Sequence, residues 1–149
     1  EIREALVSSV REIHLSHEEA QPFLENIYQF LKNFDLVLSL NYDLTVYWAM
    51  LLGNDYLGNW YKDCWVNGKF DDDVERFQSC YGANGTTRVF YPHGNLILAT
   101  GIRGQERKIQ SGNSLTTLLD QVIKRWESND YVPLFVSEGN SSQKLNAIR

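Results

Sequence analysis

Three short polar stretches in this 149-residue sequence carry residue types that can bind and process a polar ligand. Asn41-Tyr42-Asp43, His93-Gly94-Asn95 and Ser137-Glu138-Gly139-Asn140-Ser141 each follow an apolar run. An asparagine amide both donates and accepts hydrogen bonds. An imidazole exchanges protons near neutral pH. Backbone N–H groups at a helix start hold anions such as phosphate. Each stretch also has a plain structural reading. Asp43 precedes an amphipathic segment and can serve only as a helix cap. His93 sits at a forced turn between Pro92 and Gly94, where a lone histidine can be a structural hydrogen-bonder. The Ser137 to Ser141 junction has one glycine, and many such turns bind nothing. Asn41 is the residue a cap does not explain. A buried amide there needs partners, or costs about 1–3 kcal/mol, and a polar ligand is one source of them.

The elements that must position these residues are read from periodicity. Residues 3–15 and 18–32 carry apolar side chains at helical spacing, with Pro22 in or near the first turn of the second segment. Residues 34–40 read as a short parallel strand buried on both faces, because the apolar run is nearly continuous. Helical spacing returns at 44–52. Residues 53–87, rich in glycine and aromatics, show no sustained period and read as an irregular insert, either a surface excursion or a lid over a ligand. A strand at 88–91 runs into Pro92. Strands at 95–99 and 106–110 flank Gly101 and Gly104 and predict a hairpin. The most regular helix spans 114–127, and a strand at 132–136 leads into the last polar junction. Strands alternating with helices predict an α/β fold with a mostly parallel sheet. In such sheets ligands bind beyond the carboxyl ends of the strands, which is where the three polar stretches fall if their strands are parallel.

Composition narrows the function classes. Hydrophobic residues make up 43% and charged residues 22%, as in ordinary globular domains. The net charge is −5 and the pI about 5.1, with no basic stripe, which argues against nucleic acid as a partner. No apolar run is long enough to span a membrane and no export signal is present, so the expected location is cytoplasmic. Cys64 and Cys80 cannot make a four-ligand zinc site alone; reduced thiols are expected, and the sequons at Asn84 and Asn140 carry little weight. His14 and His17 read as surface residues, Asp71-Asp72-Asp73 as a solvated loop, and Glu106, Arg107 and Lys108 as the exposed part of the hairpin. The chain opens without Met inside a helical pattern and ends inside another, which reads as part of a longer protein. Self-association is compatible with the sequence.

Three motifs taken together resemble the sirtuin-like NAD-binding superfamily, in particular a bacterial branch described only as a domain of unknown function. They are Leu40-Asn41-Tyr42-Asp43-Leu44, Tyr91-Pro92-His93-Gly94-Asn95, and Val136-Ser137-Glu138-Gly139-Asn140-Ser141 with Lys144. The resemblance covers residues 34–149 and implies a Rossmann-like sheet flanked by helices, with NAD as substrate or ligand and no metal. It implies that Asn41 lies beside the nicotinamide ribose and positions a water, that Asp43 lies near the carboxamide, and that His93 contacts ribose hydroxyls and acts as general base. Gly139, Asn140 and Ser141 resemble the turn that holds the phosphate and adenosine side, with Asn140 in place of the usual small hydroxyl residue. Tyr42, Gly94 and Ser137 complete the implied cofactor-binding set.

Such a site would cleave the nicotinamide glycosidic bond, whose leaving group is already cationic, so that a held ribose, a positioned water and a base near pH 7 suffice. The four-cysteine zinc module of deacylating sirtuins is missing between the asparagine and histidine motifs, which makes acyl-lysine substrates less fitting. Hydrolysis of NAD to nicotinamide and ADP-ribose fits better, as in sirtuin-like effectors of bacterial antiphage defence. A nucleotide-binding or sensing module without catalysis is the alternative. The family's N-terminal Gly-x-Gly-x-Ser loop is absent, so the missing N-terminal part of the domain is an expected partner, and this piece alone is expected to lack part of the NAD site.

Overall fold

The computed structural model describes residues 2–73, 75, 85–101, 103–110 and 117–135. Two helices open the chain, α1 (Ile2–Ile13) and α2 (His17–Leu31). A capping box starts α2: Ser16 Oγ accepts from Glu19 N, and Glu19 Oε2 accepts from Ser16 N at 2.8 Å. The buried stripe of Ala20, Leu24, Tyr28 and Leu31 repeats at helical spacing and faces α3 (Thr45–Leu57). Pro22 is the sixth residue of α2 rather than a first-turn residue, so it removes one interior hydrogen bond, from its own position to Glu18.

The two helices approach closely at Gly53. A Cβ there would stand 2.5 Å from Tyr61 Cε2 and 3.0 Å from Tyr28 Cβ. The Tyr61 hydroxyl donates to the Tyr28 carbonyl across this contact. Asn54 then clamps the next strand, accepting from Tyr61 N at 2.6 Å and donating to Tyr61 O at 3.1 Å.

Three sheets follow among the described residues. β1 (Leu36–Leu38), β5 (Thr87–Phe90) and β2 (Tyr61–Lys62) form a parallel sheet in the order β1-β5-β2. β3 (Trp65–Val66) and β4 (Lys69–Phe70) form a hairpin through Asn67-Gly68, both at positive φ, as a two-residue turn requires. β6 (Gly94–Gly101) lies between β7 (Glu106–Lys108) and β8 (Tyr131–Phe135), antiparallel to both. Leu96, Ile97, Leu98 and Ala99 of β6 are all buried. α4 (Leu118–Glu127) contributes Leu118, Val122, Ile123 and Trp126 to the same connected core. α1 packs on α4, and Arg11 bridges to Glu127 at 3.0 Å between them.

The fold is α/β, with four helices among the described residues, but its sheets are mixed rather than mostly parallel. The reason is connectivity. β6 and β7 are joined by a short turn and can pair only antiparallel, and β8 returns along the other edge of β6. Among the described residues β8 is an edge strand, so Pro133 sits in it without interrupting an inner ladder.

The expected strand at 34–40, covered on both faces, is corrected. Only Leu36–Leu38 pair, at a sheet edge, and Leu36, Leu38 and Leu40 are 51%, 57% and 56% exposed. Among the described residues β1 has one neighbour, and no described element covers the face that these leucines share. The expected irregular segment at 53–87 is shorter at its start, since α3 continues to Leu57 and ends on Gly58 at φ +70. It also contains β2, β3, β4 and the beginning of β5. A lid formed by the rest of this segment falls largely outside the described residues. No described helix is long and apolar enough to cross a membrane.

Candidate functional site

The parallel pairing of β1 with β5 decides where the first two polar stretches lie. Leu38 stands opposite Phe90, so the chain leaves both strands at the same edge. Ser39 N adds a bond to Phe90 O at 2.9 Å. After β5 the chain turns through Tyr91-Pro92-His93-Gly94, with Gly94 N donating to Tyr91 O at 2.9 Å and Gly94 at φ +82. Proline second and glycine fourth are the residues such a turn favours. The carboxyl end of β8 arrives at the same place, because Phe135 pairs with Gly94. Antiparallel pairing of β8 to β6 thus brings its exit to this edge without requiring a parallel strand.

Two hydrogen bonds tie the first loop to the second. Leu96 N donates to Tyr42 O at 2.9 Å, and Asn95 Nδ2 donates to Asp43 O at 2.6 Å. Asn95 is fully buried, and its Oδ1 accepts from Ile97 N at 3.2 Å. That second bond lies within the stretch of β6, between Gly94 and Ala99, where the register with β8 is irregular. Asn95 therefore fixes the Asn41–Asp43 loop against the turn that carries His93.

Asp43 stands one residue before the N-cap of α3, which is Leu44 and makes no side-chain capping bond. Its Oδ1 accepts from Thr45 N at 2.9 Å, the first residue of α3. The preceding N–H, from Leu44, is taken by His14 Nε2 at 2.9 Å, while His14 Nδ1 lies 2.6 Å from Leu15 O. The two contacts together require the tautomer with hydrogen on Nδ1. His14 and His17 both meet the fully buried Trp48 edge-on, at 5.6 and 5.1 Å between ring centroids. Neither histidine is the plain surface residue expected from sequence. The α1–α2 junction folds them over the start of α3.

The expected site residues divide as follows. Asn41 and His93 are exposed, Tyr42 is 37% exposed, and Asp43 and Gly94 are half-buried. The buried amide expected at Asn41 is corrected: the side chain lies in solvent, and the buried amide of this edge belongs to Asn95 instead. Ser137, Gly139, Asn140 and Ser141 lie outside the described residues. Chemically, the edge presents an amide and an imidazole to solvent beside a helix start where the N–H groups of Leu44 and Thr45 are already bonded.

Beneath the edge lies a polar cluster that sequence reasoning missed. Lys108 Nζ bridges Asp63 Oδ2 at 2.8 Å and Oδ1 at 3.0 Å, with side chains only 12% and 6% exposed. Lys108 was expected on the exposed part of the hairpin. β7 turns it inward, over the ring of Tyr47 at 5.4 Å. The Tyr91 hydroxyl donates to Met50 Sδ at 3.3 Å. Burial, then the Asp63 carboxylate, holds the Tyr47 and Tyr91 phenols well above their ordinary range. Both stay protonated donors at neutral pH. Cys64 is a free thiol pushed up to about 11 by burial and by Asp63 and Asp71. Among the described residues no group of histidine, cysteine and carboxylate side chains has a metal-binding arrangement.

The signals for these missed roles were weak or long-range. Asn67-Gly68 was legible as a hairpin turn, but nothing near Lys108 in the sequence names Asp63 as its partner.

A search of curated proteins finds no match to this sequence. Over residues 1–149 the sequence matches the family described as "Domain of unknown function (DUF4917)", and the chain belongs to that family.

Proposed function

We propose that the edge formed by Asn41-Tyr42-Asp43 and His93-Gly94-Asn95 is the nucleotide site of a sirtuin-like, Rossmann-like domain that hydrolyses NAD to nicotinamide and ADP-ribose. The observation that carries this reading is the lock between the two loops. Asn95 and Leu96 bond to the carbonyls of Asp43 and Tyr42, which holds an asparagine and a histidine beside the carboxyl ends of two adjacent parallel strands. That is the place where ligands enter open α/β sheets. Asn41 has the donor and acceptor needed to hold a water or a ribose hydroxyl, and His93 can take a proton from that hydroxyl near neutral pH. Asp43, Tyr42 and Gly94 line the same edge, and Ser137, Gly139, Asn140 and Ser141 follow the strand whose end pairs with Gly94.

A second reading, nucleotide binding without turnover, rests on one specific observation. Asn41 and His93 are both exposed, and no hydrogen bond among the described residues orients either side chain, whereas a catalytic pair works best when held in place. The two readings separate in one experiment on the full-length protein. Nicotinamide release from NAD is followed alongside calorimetric NAD binding for wild type, Asn41→Ala and His93→Ala. Hydrolysis predicts release that both substitutions abolish while binding persists. Binding without release supports the second reading. Undiminished release by both variants refutes the residue assignment, and absence of both binding and release refutes an NAD site at this edge.

A further inference from the structure

At the far end of β6 from Gly94 lies an open cleft of about 530 Å³. It is walled by the Asn67-Gly68 turn, the hairpin that joins β6 to β7, the start of β8 and the last turn of α4. None of the residues of the strand-end site lines it. Gly101, at the hairpin end of the cleft, stands roughly 20 Å along β6 from Gly94, while Lys108 and Ile109 carry its wall back alongside Leu98 and Ile97.

The lining is strongly cationic in a chain whose net charge is −5. Arg103, Arg107, Lys108 and Arg125 all contribute, with Asp130 the one carboxylate among the lining residues. Lys108 is neutralised by Asp63 behind the wall. The Asp130 carboxylate accepts from Ser128 Oγ at 2.7 Å. The three guanidiniums have no carboxylate partner among the described residues. Arg125 lies over the Tyr131 ring at 5.3 Å, a contact that restrains it without using its N–H donors. Gln105, Gln110 and Asn67 add uncharged amides around the same space. Arg103 and Arg125 are exposed and Arg107 half-buried, so solvent screens their mutual repulsion in part, and a bound anion relieves the rest. Guanidinium forks match the paired oxygens of phosphate, and several of them suit a group with more than one phosphate. The volume exceeds what a single phosphate fills and lies in the range of nucleotide-sized ligands.

We infer that this cleft is a second ligand site, separate from the strand-end edge, and that it binds a diphosphate group through Arg103, Arg107 and Arg125. The group can arrive as a free condensed phosphate or as part of a nucleoside diphosphate. The inference stands whether or not the strand-end edge binds NAD.

The test is calorimetric titration of the whole chain with pyrophosphate, ADP and adenosine at low and moderate salt. Pyrophosphate and ADP are expected to bind saturably, more weakly as salt rises, and adenosine not to bind. Arg103→Glu and Arg107→Glu are each expected to weaken binding by about tenfold or more, the loss typical of a charge-assisted hydrogen bond. Lys124→Glu makes the same change in net charge on an exposed residue of α4 outside the cleft and is expected to change affinity by less than about twofold. His93→Ala is expected to leave pyrophosphate binding intact. ADP binding tighter than pyrophosphate identifies the nucleotide as the source, and equal affinities identify the free condensed phosphate. The inference is overturned if neither anion binds, if Lys124→Glu weakens binding as much as the arginine variants, or if His93→Ala abolishes it.

Discussion

Replacing Asn95 with alanine tests the lock on which the strand-end site depends. The wild-type side chain is fully buried and makes two bonds, donating to Asp43 O and accepting from Ile97 N. Alanine leaves a carbonyl and an N–H without these partners inside the protein. At about 1–3 kcal/mol for each orphaned group, the expected loss of stability is about 2–6 kcal/mol. Against the 5–15 kcal/mol typical of whole domains, that is a large fraction. Urea denaturation should show a lowered midpoint with an unchanged slope. Asn95→Asp separates the two bonds, because an oxygen still faces Ile97 N while the donor to Asp43 O is gone. A second readout concerns the ligand site. Under conditions where the alanine variant remains folded, its affinity for NAD should fall, because the Asn41–Asp43 loop is no longer held against the turn carrying His93. A stability change below about 0.5 kcal/mol would refute the burial argument, since such values are typical of featureless surface substitutions. Full destabilisation with unchanged NAD affinity would show that the lock serves the fold and not the site.

Other predictions follow from the same structure. Lys108→Met leaves Asp63 buried without a partner and should cost about 3–5 kcal/mol, while Asp63→Leu combined with Lys108→Met should recover most of it; denaturant midpoints of the single and double variants decide this. Ser16→Ala removes the side-chain half of the capping box on α2 and should cost about 1 kcal/mol, read as a shift in the thermal midpoint. His14→Ala removes the acceptor of Leu44 N and should cost about 1–3 kcal/mol, measured in the same way. Cys64, studied with Cys80 replaced by serine, should react with iodoacetamide tenfold faster for each unit rise in pH up to about 11, because burial and two nearby carboxylates favour the protonated thiol and only the thiolate attacks. A rate that levels off near pH 8 or 9 would contradict that environment.

Much of the local structure was legible in the sequence because its causes are local. Ser16 and Glu19 stand at capping-box spacing, the apolar stripe of α2 repeats at the helical period, and Leu118, Val122, Ile123 and Trp126 mark α4 in the same way. Pro92 and Gly94 demand the turn that follows β5, and Gly101 and Gly104 mark the β6–β7 turn. The two polar stretches were identifiable as strand ends for the same reason. Edge or interior placement was not legible for β1, since an apolar strand at an uncovered sheet edge has the same composition as one between two layers.

What only the tertiary structure decided are the partnerships between distant residues. Asn95 reaches Asp43 across 52 positions, Lys108 reaches Asp63 across 45, and His14 meets Leu44 across 30. Periodicity and turn chemistry report on neighbours within a few residues, so the sequence offers no rule that pairs these groups. The same holds for the direction of β8 and for the gathering of Arg103, Arg107 and Arg125 around one cleft, since those arginines lie on different elements until the sheet and α4 bring them together. The sequence by itself determined the helices and the longer strands, though not the short strands β2, β3 and β4 inside the segment expected to be irregular, and it determined which residue types stand at the strand ends. The packing of those segments decided which ends meet, which amide is buried, and where unpaired positive charge accumulates, because each of these depends on the space between elements rather than on the order of residues within one.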